Sequence, residues 1–319
     1  MRLTRSRLAE LSLLIVAMMW GCTFLMVQSA VQALPPLAFN AVRFIGAALL
    51  LAVIISVFYS QEWRLFSGKM LLHGSLLGVF LFGGYAFQTM GLLYTTTSNA
   101  GFITGLSVVM VPFLAAVLLR HRLSRVSLAC ALLAACGLYL LAFPGGSFIP
   151  NRGDGLVLLC AFAFALHIGF TGIYAPRYPA LPLAAVQLAV TGLLSLASSL
   201  LTENLGSWNH LSNTLMQSEV LIALLVSIGP TSAFAFWIQT VSQQYTTPTR
   251  VAVIFAMEPV FAALTGVVFA GEVLGWPALI GCACILTGMI ASELQPAASS
   301  VEAVPHTAAG SQMNKDISA

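Results

Sequence analysis

Charge is what this chain has least of. Only 7% of its 319 residues are Asp, Glu, Lys or Arg, against roughly 25% in soluble domains, so a soluble globular protein is excluded. It also lacks the period-2 alternation of strands that line a membrane barrel, because its apolar runs are continuous. With no Walker A glycine loop there is no ATP-driven pump, and without HExxH or CxxC no metalloprotease or dithiol redox centre. No arginine ladder is present for voltage sensing. The six cysteines, Cys22, Cys130, Cys136, Cys160, Cys282 and Cys284, all fall inside apolar runs. They read as small packing residues, and Cys282 and Cys284, two apart on one helix, diverge too much to share a metal.

What fills the chain is hydrophobic sequence: 59% of it by residue count, with a mean hydropathy of +0.95. A helix needs about 20 mainly apolar residues to cross a bilayer whose interior cannot satisfy backbone polar groups. Breaks at proline, glycine and charge give ten such helices, near 10–31, 37–59, 70–93, 99–119, 126–143, 154–175, 182–203, 219–241, 251–270 and 277–293. Arg2, Arg5 and Arg7 imitate a secretory signal, but the run behind them exceeds an h-region and reads as the first span. The stretch 295–319, rich in Ala, Ser and Pro, reads as a disordered tail.

With the N-terminus in the cytoplasm, eleven of the thirteen basic residues lie in inside segments (Arg2, Arg5, Arg7, Arg64, Lys69, Arg120, Arg122, Arg125, Arg177, Arg250 and Lys315), Arg152 alone lies outside, and Arg43 lies within a span. That asymmetry sets the orientation and puts both termini in the cytoplasm. Basic residues so dispersed give no nucleic-acid surface.

The chain also repeats itself. Shifted by 151 residues, Gln88-Thr89 falls on Gln239-Thr240 and Tyr94-Thr95-Thr96 on Tyr245-Thr246-Thr247, without a gap from Gly78/Gly229 to Leu123/Leu274. Earlier segments match at a shorter offset, as Ala41-Val42-Arg43-Phe44 does against Ala185-Val186-Gln187-Leu188. Five spans per repeat is an odd number, so the second repeat enters the membrane from the opposite face. Inverted repeats of this kind have two similar packings and tend to bind substrate at their interface near the midplane. The expected units are 1–145 and 146–294, each of five helices, followed by the tail 295–319.

Trp20-Gly21, Pro36 followed by Arg43-Phe44, Tyr94-Thr95-Thr96-Thr97-Ser98-Asn99-Ala100 and Glu258-Pro259, in that order on a ten-span frame, resemble the EamA-type transporters of the drug/metabolite superfamily over residues 8 to 293. The resemblance implies a ten-helix bundle of two inverted repeats around a central cavity in a bacterial inner membrane. It also implies export of amino acids, other small metabolites or toxic compounds. One departure is His121, between Arg120 and Arg122, where the family often has an acidic residue; the second repeat keeps it as Glu272.

A few polar residues inside spans need an explanation. Arg43, about a third of the way across, must face the bundle interior, since a guanidinium at that depth costs several kcal/mol unless paired or hydrated. It can anchor an anionic group of a substrate or tie helices through their carbonyls, and Asn40, one turn earlier, can serve either. Glu258, followed by Pro259, can bind and release protons and so couple transport to the proton gradient. It can equally pair with Arg250 or cap a kink. Gln88 and Gln239, matched by the repeat and read as standing at matching depths in the third and eighth spans, can face one cavity and suit a polar, uncharged part of a substrate, or make interhelical bonds. Trp20, Tyr85, Phe87 and Trp237 can wall a cavity or simply pack. His167, with no acid near it in sequence, reads as a satisfied core histidine. The links Tyr94 to Asn99 and Tyr245 to Arg250 are rich in hydroxyls that can cap the helices after them and, by symmetry, act as gate hinges. Gly101/Gly105 and Ala262/Gly266 form small-residue packing faces.

The function these features point to is a secondary transporter for a small molecule, working by alternating access. It needs no cofactor; its expected partners are substrate, membrane lipid and a coupling proton, and a homo-oligomer is compatible with it. Multiply charged phosphates would call for several basic groups within the spans, and only Arg43 is there, so a zwitterionic, singly anionic or amphipathic neutral metabolite fits better. The alternatives are an intramembrane enzyme acting on a lipid or isoprenoid and a non-transporting scaffold or sensor. Neither makes use of an inverted repeat.

Overall fold

The computed structural model describes residues 5–119, 124–143, 149–206, 208–271 and 273–294; the expected tail, His121 and Glu272 lie outside them. Among these residues the secondary structure is helical throughout. Nine helical stretches are long and apolar enough to cross a bilayer. A tenth apolar helix, Trp276–Glu293, reaches about 27 Å at 1.5 Å per residue, close to the hydrocarbon thickness. The molecule is therefore a multi-pass membrane protein of ten spans in two inverted repeats of five.

In the first repeat the spans are α1 (Arg5–Ala33), α2 (Pro36–Phe58), α3 (Gly68–Leu92), a fourth span in two pieces, α4 (Thr97–Gly105) and α5 (Ser107–Leu119), and α6 (Arg125–Ala142). In the second they are α7 (Arg152–Tyr174), α8 (Ala180–Thr202), then, after the short helix α9 (Trp208–Leu215), an eighth span of α10 (Ser218–Ile228), a π-turn (Gly229–Phe234) and α11 (Ala235–Ser242). The ninth is α12 (Pro248–Phe255) with α13 (Glu258–Ala270), and the tenth is α14 (Trp276–Glu293). We call the face where α1 begins the near face and the other the far face.

The repeat written in the sequence is carried by the backbone. α4 starts 151 residues before α12 and α5 starts 151 before α13, so both spans break at the same place. At each break a residue of shallow ψ bonds three residues back, Leu106 N to Ile103 O as well as to Phe102 O, and Met257 N to Ile254 O, a local tightening of the helix. The caps correspond too. Thr96 accepts from the Asn99 amide and Thr247 from the Arg250 amide, as their hydroxyl-rich links predict.

Packing repeats across the pseudo-twofold. α2 lies against its counterpart α8, α6 against its counterpart α14, and the contact of α3 with α7 is mirrored by that of α11 with α1. The tightest crossings use glycine. A Cβ on Gly21 in α1 would lie 2.5 Å from the Glu258 carbonyl oxygen and 2.9 Å from the Ala262 nitrogen, so α1 meets the start of α13 only because Gly21 has none. Of the small-residue faces, Gly105 packs against Leu138 whereas Gly101 has open space beside it.

Candidate functional site

The interior polar groups fall into two layers. The one nearer the far face is centred on Arg43 of α2, which is 5% exposed. Its Nε donates to Ser232 Oγ at 2.6 Å and its NH2 group to the Thr231 carbonyl at 3.2 Å. The same carbonyl accepts from Trp20 Nε1 at 2.8 Å. These acceptors are available because the eighth span widens into its π-turn, a feature that often marks a functional site. Pro230 has no N–H for the Val226 carbonyl, and Thr231 Oγ1 turns back to that carbonyl and to Ser227 O, both at 3.4 Å. The helix-tying reading of Arg43 is thus realised for two of its nitrogens.

Aromatic rings surround the guanidinium, which sits 5.0 Å from the Phe44 centroid and 5.1 Å from that of Tyr85, in the range of cation–π attraction. Trp20 packs on Phe236 and Phe255, and Tyr85 edges onto Phe44 and Phe164. Trp237 joins the same cluster.

Glu258 faces this group. It opens α13 eleven residues into the ninth span, nearer mid-membrane than sequence spacing alone places it, because α12 begins at Pro248. A helix start at that depth turns its positive end toward its first side chain. The Arg43 guanidinium lies within electrostatic range of the carboxylate, and the uncharged Tyr85 hydroxyl and Cys160 thiol are near it. Half-buried, it makes no hydrogen bond or ion pair with any described residue. The alternative pairing with Arg250 does not occur, since Arg250 NH1 bonds Glu10 Oε1 at 2.8 Å. Gln88, one turn from Tyr85 on α3, donates to Thr104 Oγ1 at 3.3 Å, and Thr104 contacts Cys160 Sγ at 3.8 Å. Arg43, Trp20, Tyr85, Gln88, Trp237 and Glu258 are accordingly brought together.

Gln239 and Asn40 are not part of that group. Gln239 belongs to the second layer, nearer the near face, where its Nε2 donates to Gln243 Oε1 at 3.2 Å and Gln243 Nε2 donates to the Ile168 carbonyl at 2.8 Å. Inverted symmetry puts matched residues at mirrored depths, so Gln88 and Gln239 do not face each other. In the same layer His167 Nε2 meets Gln187 Oε1 at 2.8 Å and Gln187 Nε2 donates to Thr240 Oγ1 at 3.2 Å, which satisfies the histidine. Among the described residues Gln239 Oε1 and Thr171 Oγ1 are buried without hydrogen-bond partners. Asn40 is also buried, and its Nδ2 has no partner among them.

Each face is closed by a carboxylate from the first helix of one repeat bound to the link between third and fourth helices of the other. At the far face Asp154 of α7 accepts from Thr95 Oγ1 and from Asn99 Nδ2 at 3.3 Å, and from the Asn151 amide at 2.7 Å in a capping box. At the near face Glu10 of α1 accepts from Thr246 Oγ1 at 3.3 Å, from Arg250 and from Ser6 Oγ at 2.9 Å. Thr95 and Asn99 correspond to Thr246 and Arg250 at the offset of 151, and Glu10 to Asp154 at 144, the offset of Ala41 and Ala185. That signal was available in the sequence: one carboxylate at the head of each repeat. Ser232, Thr231 and Thr104 had none, because their roles come from the π-turn and from helix crossings.

A two-repeat bundle of membrane spans with ionisable groups in its interior and a carboxylate bound at each face is the architecture of a membrane transporter. The chain belongs to the EamA-like transporter family, whose model matches residues 7–143 and again 151–292. Two proteins of Archaeoglobus fulgidus, each described as an uncharacterized transporter, are similar to it. One is 32% identical over 287 residues, 90% of this chain and 86% of its own length; the other is 28% identical over 152 residues, 47% of this chain and 52% of its own. A crystal structure superposes with a TM-score of 0.75 over 90% of this chain and 98% of its own, at 23% identity, a likeness of fold.

Proposed function

We propose that this protein is a secondary transporter exporting amino acids or comparable small metabolites across a bacterial inner membrane, with both termini cytoplasmic and the near face inside. Arg43 anchors an anionic group of the substrate, Trp20, Tyr85, Trp237 and Gln88 wall the site, and Glu258 carries the coupling proton. Alternating access opens either the Asp154 or the Glu10 closure while the other holds. The observation that carries this reading is Glu258: a half-buried carboxylate in mid-membrane, without a hydrogen-bond or ion-pair partner among the described residues, within range of a guanidinium.

The test uses proteoliposomes and a panel of radiolabelled amino acids. Counterflow of at least one is expected in the wild type and abolished by Arg43→Ala. Glu258→Gln keeps counterflow, which needs no net proton movement, but loses accumulation driven by a pH gradient. Gradient-driven accumulation that survives Glu258→Gln would remove the coupling role.

A further inference from the structure

Two cations flanking a histidine lie at the near-face corner where α3, α7 and α8 meet, away from the transport site. Lys69 and His73 stand one turn apart on α3, and Arg177 lies in the link from α7 to α8. Lys69 and Arg177 are both close enough for their charges to act on the His73 imidazole. His73 is held in place: its Nδ1 meets Tyr178 Oη at 2.7 Å, and its ring stacks on Tyr174 at 4.0 Å and 9°. Arg177 leans over the same Tyr174 ring at 5.8 Å. The link is pinned from behind by Gln244, whose Nε2 donates to the carbonyls of Ala175 and Tyr178 at 3.0 and 3.3 Å.

No described carboxylate balances these charges. Glu10 is bound to Arg250. In Glu62, four residues before Phe66, burial alone pushes the carboxyl up, with no cation acting on it. Lys69 and Arg177 are themselves exposed. Below the cluster the rings continue into the membrane as a ladder: Tyr174 on Phe170 at 5.9 Å, and Phe170 on Phe80 at 5.3 Å. His73 to Phe80 spans about 10 Å of helix rise. Beside the ladder α3 exposes Leu72.

We infer that Lys69, His73 and Arg177 hold the phosphate of an anionic phospholipid whose acyl chains run along the Tyr174, Phe170 and Phe80 rings. Uncompensated cations at a membrane surface, set above a row of partly buried aromatic rings, match such a lipid in charge and in the length of its apolar part. The ring ladder favours a lipid over a free anion, which would have no use for it.

Native mass spectrometry of the full chain, released from detergent doped with phosphatidylglycerol or phosphatidylcholine, tests this. The wild type is expected to retain one phosphatidylglycerol in preference to phosphatidylcholine, and millimolar inorganic phosphate should not displace it. Lys69→Gln with Arg177→Gln should weaken retention roughly thirtyfold, at the usual contribution of a surface cation. The control pair Arg64→Gln with Arg125→Gln, which removes the same charge elsewhere on the near face, should change it by less than about threefold. If the double variant does not fold, Arg177→Gln alone should give about a fivefold loss. Equal retention by cluster and control variants would overturn the site, and displacement by inorganic phosphate would make it a small-anion site instead.

Discussion

Arg43 is a buried cation with a structural role in the helix packing, to which the proposed function adds a substrate-anchoring one. Its Nε and NH2 groups are committed to Ser232 and Thr231, which fixes where the guanidinium sits among Phe44, Tyr85 and the Glu258 carboxylate. Ser232 is therefore a positioning residue. Losing a hydrogen bond to a charged group costs about 1.5–3 kcal/mol, so Ser232→Ala should raise the apparent KM for transport roughly tenfold or more, while Ser232→Thr, which keeps the hydroxyl, should stay near wild type. An equal loss in both variants would point to packing and not to the hydrogen bond. Gly21 makes a different prediction. A methyl group there meets the α13 backbone, and such overpacking typically costs roughly 1–3 kcal/mol. Gly21→Ala should lower the unfolding midpoint in detergent, and an unchanged midpoint would mean that the α1–α13 crossing adapts.

At the scale of elements, the broken spans and the face closures make the repeat mechanical. α4/α5 and α12/α13 break at equivalent residues, and the links before them are held by Asp154 at one face and Glu10 at the other. The two closures differ in charge. Bonds to the carboxylate are charge-assisted at both faces, but the far one receives them from a hydroxyl and amides, whereas the near one adds an ion pair with the Arg250 guanidinium. Glu10→Gln should shift the population toward near-face opening, and Asp154→Asn toward far-face opening. Thiol labelling of Cys substitutions in the two links, in a background free of native cysteines, reads both shifts. Labelling that rises at the same face in both variants would contradict the assignment.

This is also the scale at which the sequence was most and least legible. Ten spans, their order and the inverted relation all follow from hydropathy, an odd helix count and a polar repeat, since bilayer burial leaves a chain few other options. Helix ends sat within a few residues of the breaks at proline and charge. The π-turn is marked only by Gly229-Pro230, which read as an ordinary proline inside an apolar run, and the break at Leu106 left no mark. Leu106 is an apolar residue in an apolar run, and nothing in its own side chain distinguishes it from its neighbours; α4 and α5 on either side of it both pack on α6 and α7. Arg43 and Glu258 stood out because ionisable groups in a span are expensive. Gln239 misled for a symmetry reason: residues matched by an inverted repeat lie at mirrored depths, and only those near the midplane can share a site.

For the whole molecule, the account rests on one site reached alternately from two faces. Both closures are made in this structure, so transport must break them one at a time. The most direct measurement is of paired distances by electron spin resonance in reconstituted protein whose native cysteines have been replaced. Spin labels at Tyr94 and Ile149 would span the far closure, and labels at Leu8 and Tyr245 the near one; all four side chains are exposed. The account predicts that each pair samples a short and a long distance, that a transported substrate changes the balance, and that Glu10→Gln lengthens the near pair while the far pair shortens. Faces that open together, or distances that ignore both substrate and Glu10→Gln, would contradict it.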